Sequence, residues 1–168
     1  MWPGFWLRPL TRPGGSPGNG AEIDLVETWT MSWPPPKMSA TIHPNYDADP
    51  RPPHAGANLN YSVLPNSDPA ALHIYTCIKT PGRIEFLCDG IRIYAWDSDV
   101  PVWNGALRHG PPPAWYNDAY EAAGTTWYPR FTLQIGMGTG GNNAEPDADW
   151  TYSEIVIPWT RIYKRSID

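Results

Sequence analysis

The stretch "GAEIDLVETW", Gly20 to Trp29, sets three carboxylates, Glu22, Asp24 and Glu27, around the apolar residues Ile23, Leu25 and Val26. In a flat strand alternate side chains share a face, so Glu22 and Asp24 point one way and Glu27 the other. A helix also leaves Glu27 off register with Glu22. One extra residue, a β-bulge near Leu25–Val26, would return Glu27 to the Glu22 face. Ile23, Leu25 and Val26 mark a buried strand, where acids without a role are costly. A solvated acidic edge strand and a divalent-metal site stay open as other readings of the three acids. The metal reading is the weaker, because no His or further Asp stands nearby in sequence.

The rest of the chain extends the strand reading. Short runs of apolar alternation recur: "FWLRPL", "EIDLVE", "ATIHP", "LHIYTCI", "RIEFLC", "IRIYAW", "RFTLQIGM" and "EIVIPWTRIY". Turn-rich stretches separate them at Arg12–Gly20, Pro34–Pro36, Asn45–Asn60 and Gly140–Asp149. With 21 Pro and 15 Gly in the chain, long helices are disfavoured. The pattern predicts an all-β sandwich or jelly roll. The one helical candidate is "YNDAYEAAG", Tyr116–Gly124, inside an insertion over about 97–128. No internal repeat or linker divides the 168 residues, and a single domain over 1–168 is expected.

Within "TCIKTPGRIEFLC", Thr80-Pro81-Gly82-Arg83 suits a type II turn, with Pro fixing φ and Gly taking positive φ. This predicts a hairpin with Cys77 and Cys88 on neighbouring strands. Core thiols are favoured over a disulfide, because register alone does not bring their Cβ atoms within bonding reach.

Composition narrows the function. Hydrophobic residues make up 41% and charged ones 17%, the balance of a packed domain rather than a disordered tail. A net charge of −5 without a basic run argues against nucleic acid, an anionic membrane surface or a strongly polyanionic substrate. No apolar stretch approaches the length of a membrane-spanning helix. The opening "MWPGFWLRPL" lacks the basic and apolar regions of a secretory signal. Ten Trp exceed what a core this size needs, and sugar-binding clefts use such a surplus.

A bulged strand also suits a specific chemistry. Glu22 and Glu27 would stand roughly 13 Å apart at Cα, at about 3.3 Å per residue. Side chains leaning together over a concave sheet could close this to the roughly 5–5.5 Å of a retaining glycosidase. One Glu would attack the anomeric carbon while the other protonates the leaving oxygen. Asp24 between them could hydrogen-bond the nucleophile, and the titrations would belong to the cluster.

These segments together resemble glycoside hydrolase family 16. "WPGFWL" (Trp2–Leu7) is similar to its W-P-x-F-W-L strand, and "EIDLVE" to its bulged E-x-D-x-x-E signature of laminarinase- and agarase-like branches. "ATIHP" resembles the T-x-H strand that follows. "HIYTCIKTPGRIEFLCDGIRIY" resembles the family's hairpin, with Lys79 where Trp is usual. "RFTLQIGMGTGGN" and "WTRIYKR" resemble its late strands. The resemblance implies a concanavalin A-like β-jelly-roll of two antiparallel sheets with a concave glycan-binding cleft. It implies Glu22 as nucleophile, Asp24 as its partner, Glu27 as acid/base, and a β-linked glucan or galactan as substrate. An extracellular or cell-wall-facing setting goes with it.

Alternation then sorts the cleft. Trp2, Gly4, Trp6 and Arg8 share one face, and Phe5 and Leu7 take the core. Trp2 and Trp6 would stack on pyranose rings, although Trp6 could equally be a packing residue. In "RFTLQIGMG", Phe131, Leu133, Ile135 and Met137 take the core, leaving Arg130, Thr132, Gln134 and Gly136 for the cleft. His43 matches the family's cleft histidine, with a structural hydrogen-bonding role as the other reading. Trp103 and Trp115, in the insertion, would form a cleft wall or cap the sheet edge.

Three departures qualify the resemblance. Strands that usually precede the W-P-x-F-W strand have no counterpart before Trp2. Such a chain would be a piece of a longer protein, have a different start, or be a sandwich completed by other domains or subunits. The family's cleft Asn falls at Gly136, where Gln134 could substitute. The Asp that often serves calcium falls at Pro158, so no metal or other cofactor is expected. The leading expectation is a retaining endo-β-glycanase acting on β-1,3-glucan. A transglycosylase would share its site residues. A non-catalytic glycan-binding module of a larger cell-surface or phage-tail-type assembly is the competing class.

Overall fold

A computed structural model describes residues 2–11, 20–28, 37–45, 54–97, 120, 125–134, 149, 151–152 and 154–163. Among them are eight strands: β1 Trp2–Thr11, β2 Glu22–Glu27, β3 Lys37–His43, β4 Ala55–Asn60, β5 Tyr75–Thr80, β6 Arg83–Cys88, β7 Ile91–Asp97 and β8 Thr126–Gln134. Every pairing is antiparallel. One sheet has the order β4-β3-β2-β1-β8 and the other β5-β6-β7. The two sheets pack face to face as an all-β sandwich of jelly-roll type, as the alternation predicts.

The core lies between the sheets because each strand turns its apolar set inward. Ile23, Leu25, Val26, Met38, Ala40 and Ile42 come from the larger sheet, and Ile84, Phe86, Cys88, Ile93, Tyr94 and Trp96 from the smaller. Full burial of each larger side chain contributes roughly 1.5–3 kcal/mol. A buried polar chain also crosses the core. Thr28 Oγ1 lies 2.8 Å from the Tyr61 hydroxyl, which is 3.0 Å from that of Tyr75. Burial pushes both phenols up, so they serve as neutral hydroxyls.

Local chemistry sets the turns. Gly82 has φ +72°, as the predicted Pro-Gly turn requires. Asp89 (φ +50°) and Gly90 (φ +79°) make the two-residue loop between β6 and β7, a type I′ pattern. Asp89 is tied down by the Ile74 N–H at 2.8 Å and by His73 Nδ1 at 2.7 Å. Cys77 and Cys88 are free thiols, each pushed up to about 12 by burial.

Three expectations are corrected. Residues 55–60, read as part of a turn-rich stretch, form β4 at the sheet edge. Gly and Asn lower its strand propensity, but pairing with β3 overrides that preference. Phe131 does face the Phe5 side, with stacked rings 4.4 Å apart, yet it is 36% exposed because the three-stranded sheet is narrower than the five-stranded one. The run 154–163 carries no strand, and its Ile155, Val156, Ile157, Trp159, Ile162 and Tyr163 are exposed. Apolar alternation there does not find a partner strand among the described residues. Of the helical candidate only Tyr120 is described, and it is buried.

Replacing Gly90 by Ala forces a Cβ into the left-handed region at a site with open space around it. The expected loss is about 1–2 kcal/mol from backbone conformation alone, read as a lower urea midpoint at unchanged m-value.

Candidate active site

The register of β2 against both neighbours locates the extra residue. Trp6 pairs with Asp24 and Phe5 with Val26, so Leu25 has no partner on β1. On the other side Asp24 pairs with Thr41 and Glu27 with Ser39, again two β2 residues against one. Leu25 is the bulge, and it stays buried at 5% exposure. Directly opposed residues share a face. Glu27, flanked by Gly4 and Ser39, therefore lies on the face of Asp24, flanked by Trp6 and Thr41.

That outer face is built in rows across the sheet. One row runs Asn58, Ser39, Glu27, Gly4, Thr132; the next runs Gly56, Thr41, Asp24, Trp6, Arg130. Glu22 then pairs with His43, and Arg8 with Tyr128. The backbones of Trp2 and Gln134 pair at the end of β1 and β8; their side chains lie outside the described set. Trp103 and Trp115 are outside the described residues.

The acids are close enough to titrate together. Glu22 and Asp24 share a hydrogen bond, so a proton lies between them. Burial, then the Asp24 charge, pushes the Glu22 carboxyl up to about 7. Burial, then the Glu27 charge, holds Asp24 well above the usual carboxylate range. Asp24 is the more enclosed, with 3% side-chain exposure against 13% for Glu22. Burial raises both carboxyls, while the hydrogen bond between them raises Glu22 and lowers Asp24, so that bond favours the proton on Glu22. Opposing charges stand at the Glu22 end: Arg8 Nε is 3.9 Å from Glu22 Oε2, and His43 Nε2 is 3.2 Å from Asp24 Oδ2. His43 attracts Asp24 without aligning for a hydrogen bond, since no described group satisfies Asp24 Oδ2.

Glu22, Asp24 and His43 also bring ligand atoms within 4.8 Å of one another, a set a cation could use. His73, Cys88 and Asp89 form a second such set. There both ring nitrogens of His73 already meet Asp89 Oδ2 and the Asp68 carbonyl.

Trp6 shares the outer face of the larger sheet with Asp24, where it is held and partly covered. Its Nε1 donates to Thr132 Oγ1 at 3.2 Å, and the Arg130 guanidinium lies 4.8 Å from its ring centroid. His54 was missed. Its ring sits 5.2 Å from that of His43, across the β3–β4 register. No pattern within "RPPHAG" signals this, because the neighbour is set by strand pairing. Gly56 is required where β4 crosses β3, since a Cβ there would meet the Ala40 carbonyl oxygen at 2.4 Å.

No protein-family model matches the chain, and no curated protein matches it in sequence. Solved structures do. A structure titled for endo-acting O-glycanases of human gut microbiota that initiate mucin breakdown is 22% identical, with 61% of this chain and 34% of that one covered, at a TM-score of 0.43. A Bacteroides ovatus mixed-linkage-glucan family 16 protein in complex with a product is 13% identical, with coverage of 78% and 62% and a TM-score of 0.44. A Bacteroides ovatus glycoside hydrolase family 16 endo-glucanase is also 13% identical, with coverage of 77% and 59% and a TM-score of 0.44. The chain spans about a third of the first and about three fifths of the other two. Assignment of chemistry rests on the acids and register of this chain.

A raised folded-state pKa means that the native protein binds more protons than the unfolded chain between the two values. For Glu22 that window runs from 4.5 to about 7, and the stability it contributes is lost as pH rises through it. Thermal midpoints of the wild type are expected to fall across this window more steeply than those of Glu22→Gln. Parallel pH profiles for the two proteins would contradict the raised value.

Proposed function

We propose that the chain is a glycoside hydrolase of the family 16 kind, a retaining endo-β-glycanase acting on a β-linked polysaccharide, with β-1,3-glucan as the leading substrate. The observation that supports it is the Leu25 bulge, which puts Glu22, Asp24 and Glu27 on one polar face over a buried strand. A solvated edge strand does not account for this, because β2 is internal to the sheet and Asp24 is 2% exposed.

Roles follow from surroundings. Glu22, once ionised beside Arg8, attacks the anomeric carbon. The bond from that carbon to the leaving sugar breaks as Glu27 donates a proton to the departing oxygen. Glu27 then takes a proton from water, whose oxygen displaces Glu22 with net retention. Asp24 touches the nucleophile and sets its charge. One proton shared by Glu22 and Asp24 avoids three adjacent negative charges in a half-dry site. With a polysaccharide as substrate, the setting we propose is extracellular or facing the cell wall.

Release of reducing ends from laminarin, lichenan and agarose tests the assignment. Wild type is expected to cleave at least one, giving product of retained configuration by NMR. Glu27→Gln should lower kcat by about 10²–10⁴-fold where protonation of the leaving group limits, and Glu22→Gln should abolish turnover. Binding without cleavage by the wild type would replace the hydrolase with a glycan-binding module.

A further inference from the structure

The mechanism leaves one built feature of the cleft face unused. Arg130 on β8 is opposite Trp6, and Tyr128 is opposite Arg8. The Arg130 guanidinium carbon lies 4.8 Å from the ring centroids of both Trp6 and Tyr128, and its Nη2 donates to the Tyr128 hydroxyl. Trp6 is fixed in turn by its hydrogen bond to Thr132. The result is an exposed planar cation whose plane is set by two aromatic rings.

Its ion pairing differs from that of the arginines on the far sheet. There Arg83 and Arg92 both meet Glu85, at 2.6 and 2.5 Å. Among the described residues no carboxylate stands within ion-pair distance of Arg130. Arg8 lies diagonally across from it on β1, roughly 7–8 Å away at Cα by register. Beyond Arg8 on the same face lies Glu22, 3.9 Å from the Arg8 Nε, and then His43 on β3.

We propose that Arg130, held by Trp6 and Tyr128 at the Arg8 end of the cleft, receives an anionic substituent, a carboxylate or a sulfate ester, carried by a β-linked glycan. This rests on the glycan-cleft reading above. A guanidinium fork matches either planar carboxylate or sulfate oxygens with paired N–H donors, which an ammonium does not. The net charge of −5 repels a densely charged chain, so the fit is to a sparsely substituted one. Trp6 then supports the arginine with one ring face instead of leaving that face for a sugar.

The test is calorimetric binding to the Glu22→Gln protein of β-1,3-glucan oligosaccharides in neutral, carboxymethylated and sulfated forms. A charged form is expected to bind about tenfold or more tighter than the neutral one. That preference should weaken as salt rises from roughly 0.05 to roughly 0.5 M. Arg130→Gln in the same background should bring the charged-to-neutral ratio close to one, and Arg130→Lys should restore only part of it. Preference for carboxymethyl over sulfate, or the reverse, identifies the group received. Equal affinity for neutral and charged forms, or a ratio indifferent to Arg130→Gln, overturns the proposal. An Arg130-dependent preference in a protein whose wild type cleaves nothing would uphold it while removing the hydrolase. Failure to bind any of the three forms removes both.

Discussion

One unpaired residue, Leu25, is the constraint on which the site depends. β2 is the middle strand of five, so its register is fixed from both sides by β1 and β3. Without the extra residue the side-chain period of two would send Glu27 into the core while Glu22 and Asp24 stayed outside. An ionised carboxyl between the sheets would then have no compensating cation among Ile84, Phe86 and Trp96. The bulge serves the core as well as the cleft. It lets Leu25 and Val26, adjacent in sequence, both be buried, where regular alternation would bury only one.

Burial first, and the neighbouring acid's charge second, raise both Glu22 and Asp24, so gathering acids on this half-buried face carries a cost. Two features limit that cost. A shared proton removes one negative charge, and Arg8 with His43 offsets part of another. Neither compensator neutralises the set fully, since a bidentate arginine on Glu22 would hold it ionised and depress its value instead. Contrast Glu85 on the outer face of the smaller sheet. Burial raises its carboxyl, but hydrogen bonds from Arg83 and Arg92 outweigh that and hold it below the usual range. The same residue type is held ionised by two arginines in one sheet and pushed toward its protonated form in the other.

How much of this could be read from sequence follows from the range of the interactions involved. Local periodicity and turn chemistry are encoded within a few residues, so most strands, the Pro-Gly turn and the bulge were legible, as was the facing of Trp6, Arg8 and Arg130. The same alternation over 154–163 pointed to a strand that does not form there. Quantities fixed by long-range pairing were not. His54 meets His43 only because Ala55 pairs with Ile42, and β4 itself is composed of residues with poor strand propensity. Arg130 covering Trp6 joins residues 6 and 130, and alternation could place both on one face without telling that they stack. Exposure of Phe131 depends on how wide the opposite sheet is, a property of no single segment.

Rigidity at Glu27 comes from the residue that follows it. Thr28 donates its N–H to the Pro3 carbonyl at 3.0 Å, and its hydroxyl joins the Tyr61–Tyr75 chain into the smaller sheet. Ser39 Oγ approaches the Glu27 carbonyl at 3.4 Å from the other side. A bulge by itself loosens a strand, because it interrupts the ladder on both edges. Here the interruption ends at once in a residue tied to β1 and to the opposite sheet. The Glu27 backbone is therefore set by contacts from β1, β3 and the opposite sheet, while its side chain lies on the outer face with Asp24. Such anchoring from the core is what a site needs when the productive geometry must hold to within about 0.5 Å. The buried tyrosine chain thereby becomes part of how the outer face around Glu27 keeps its shape.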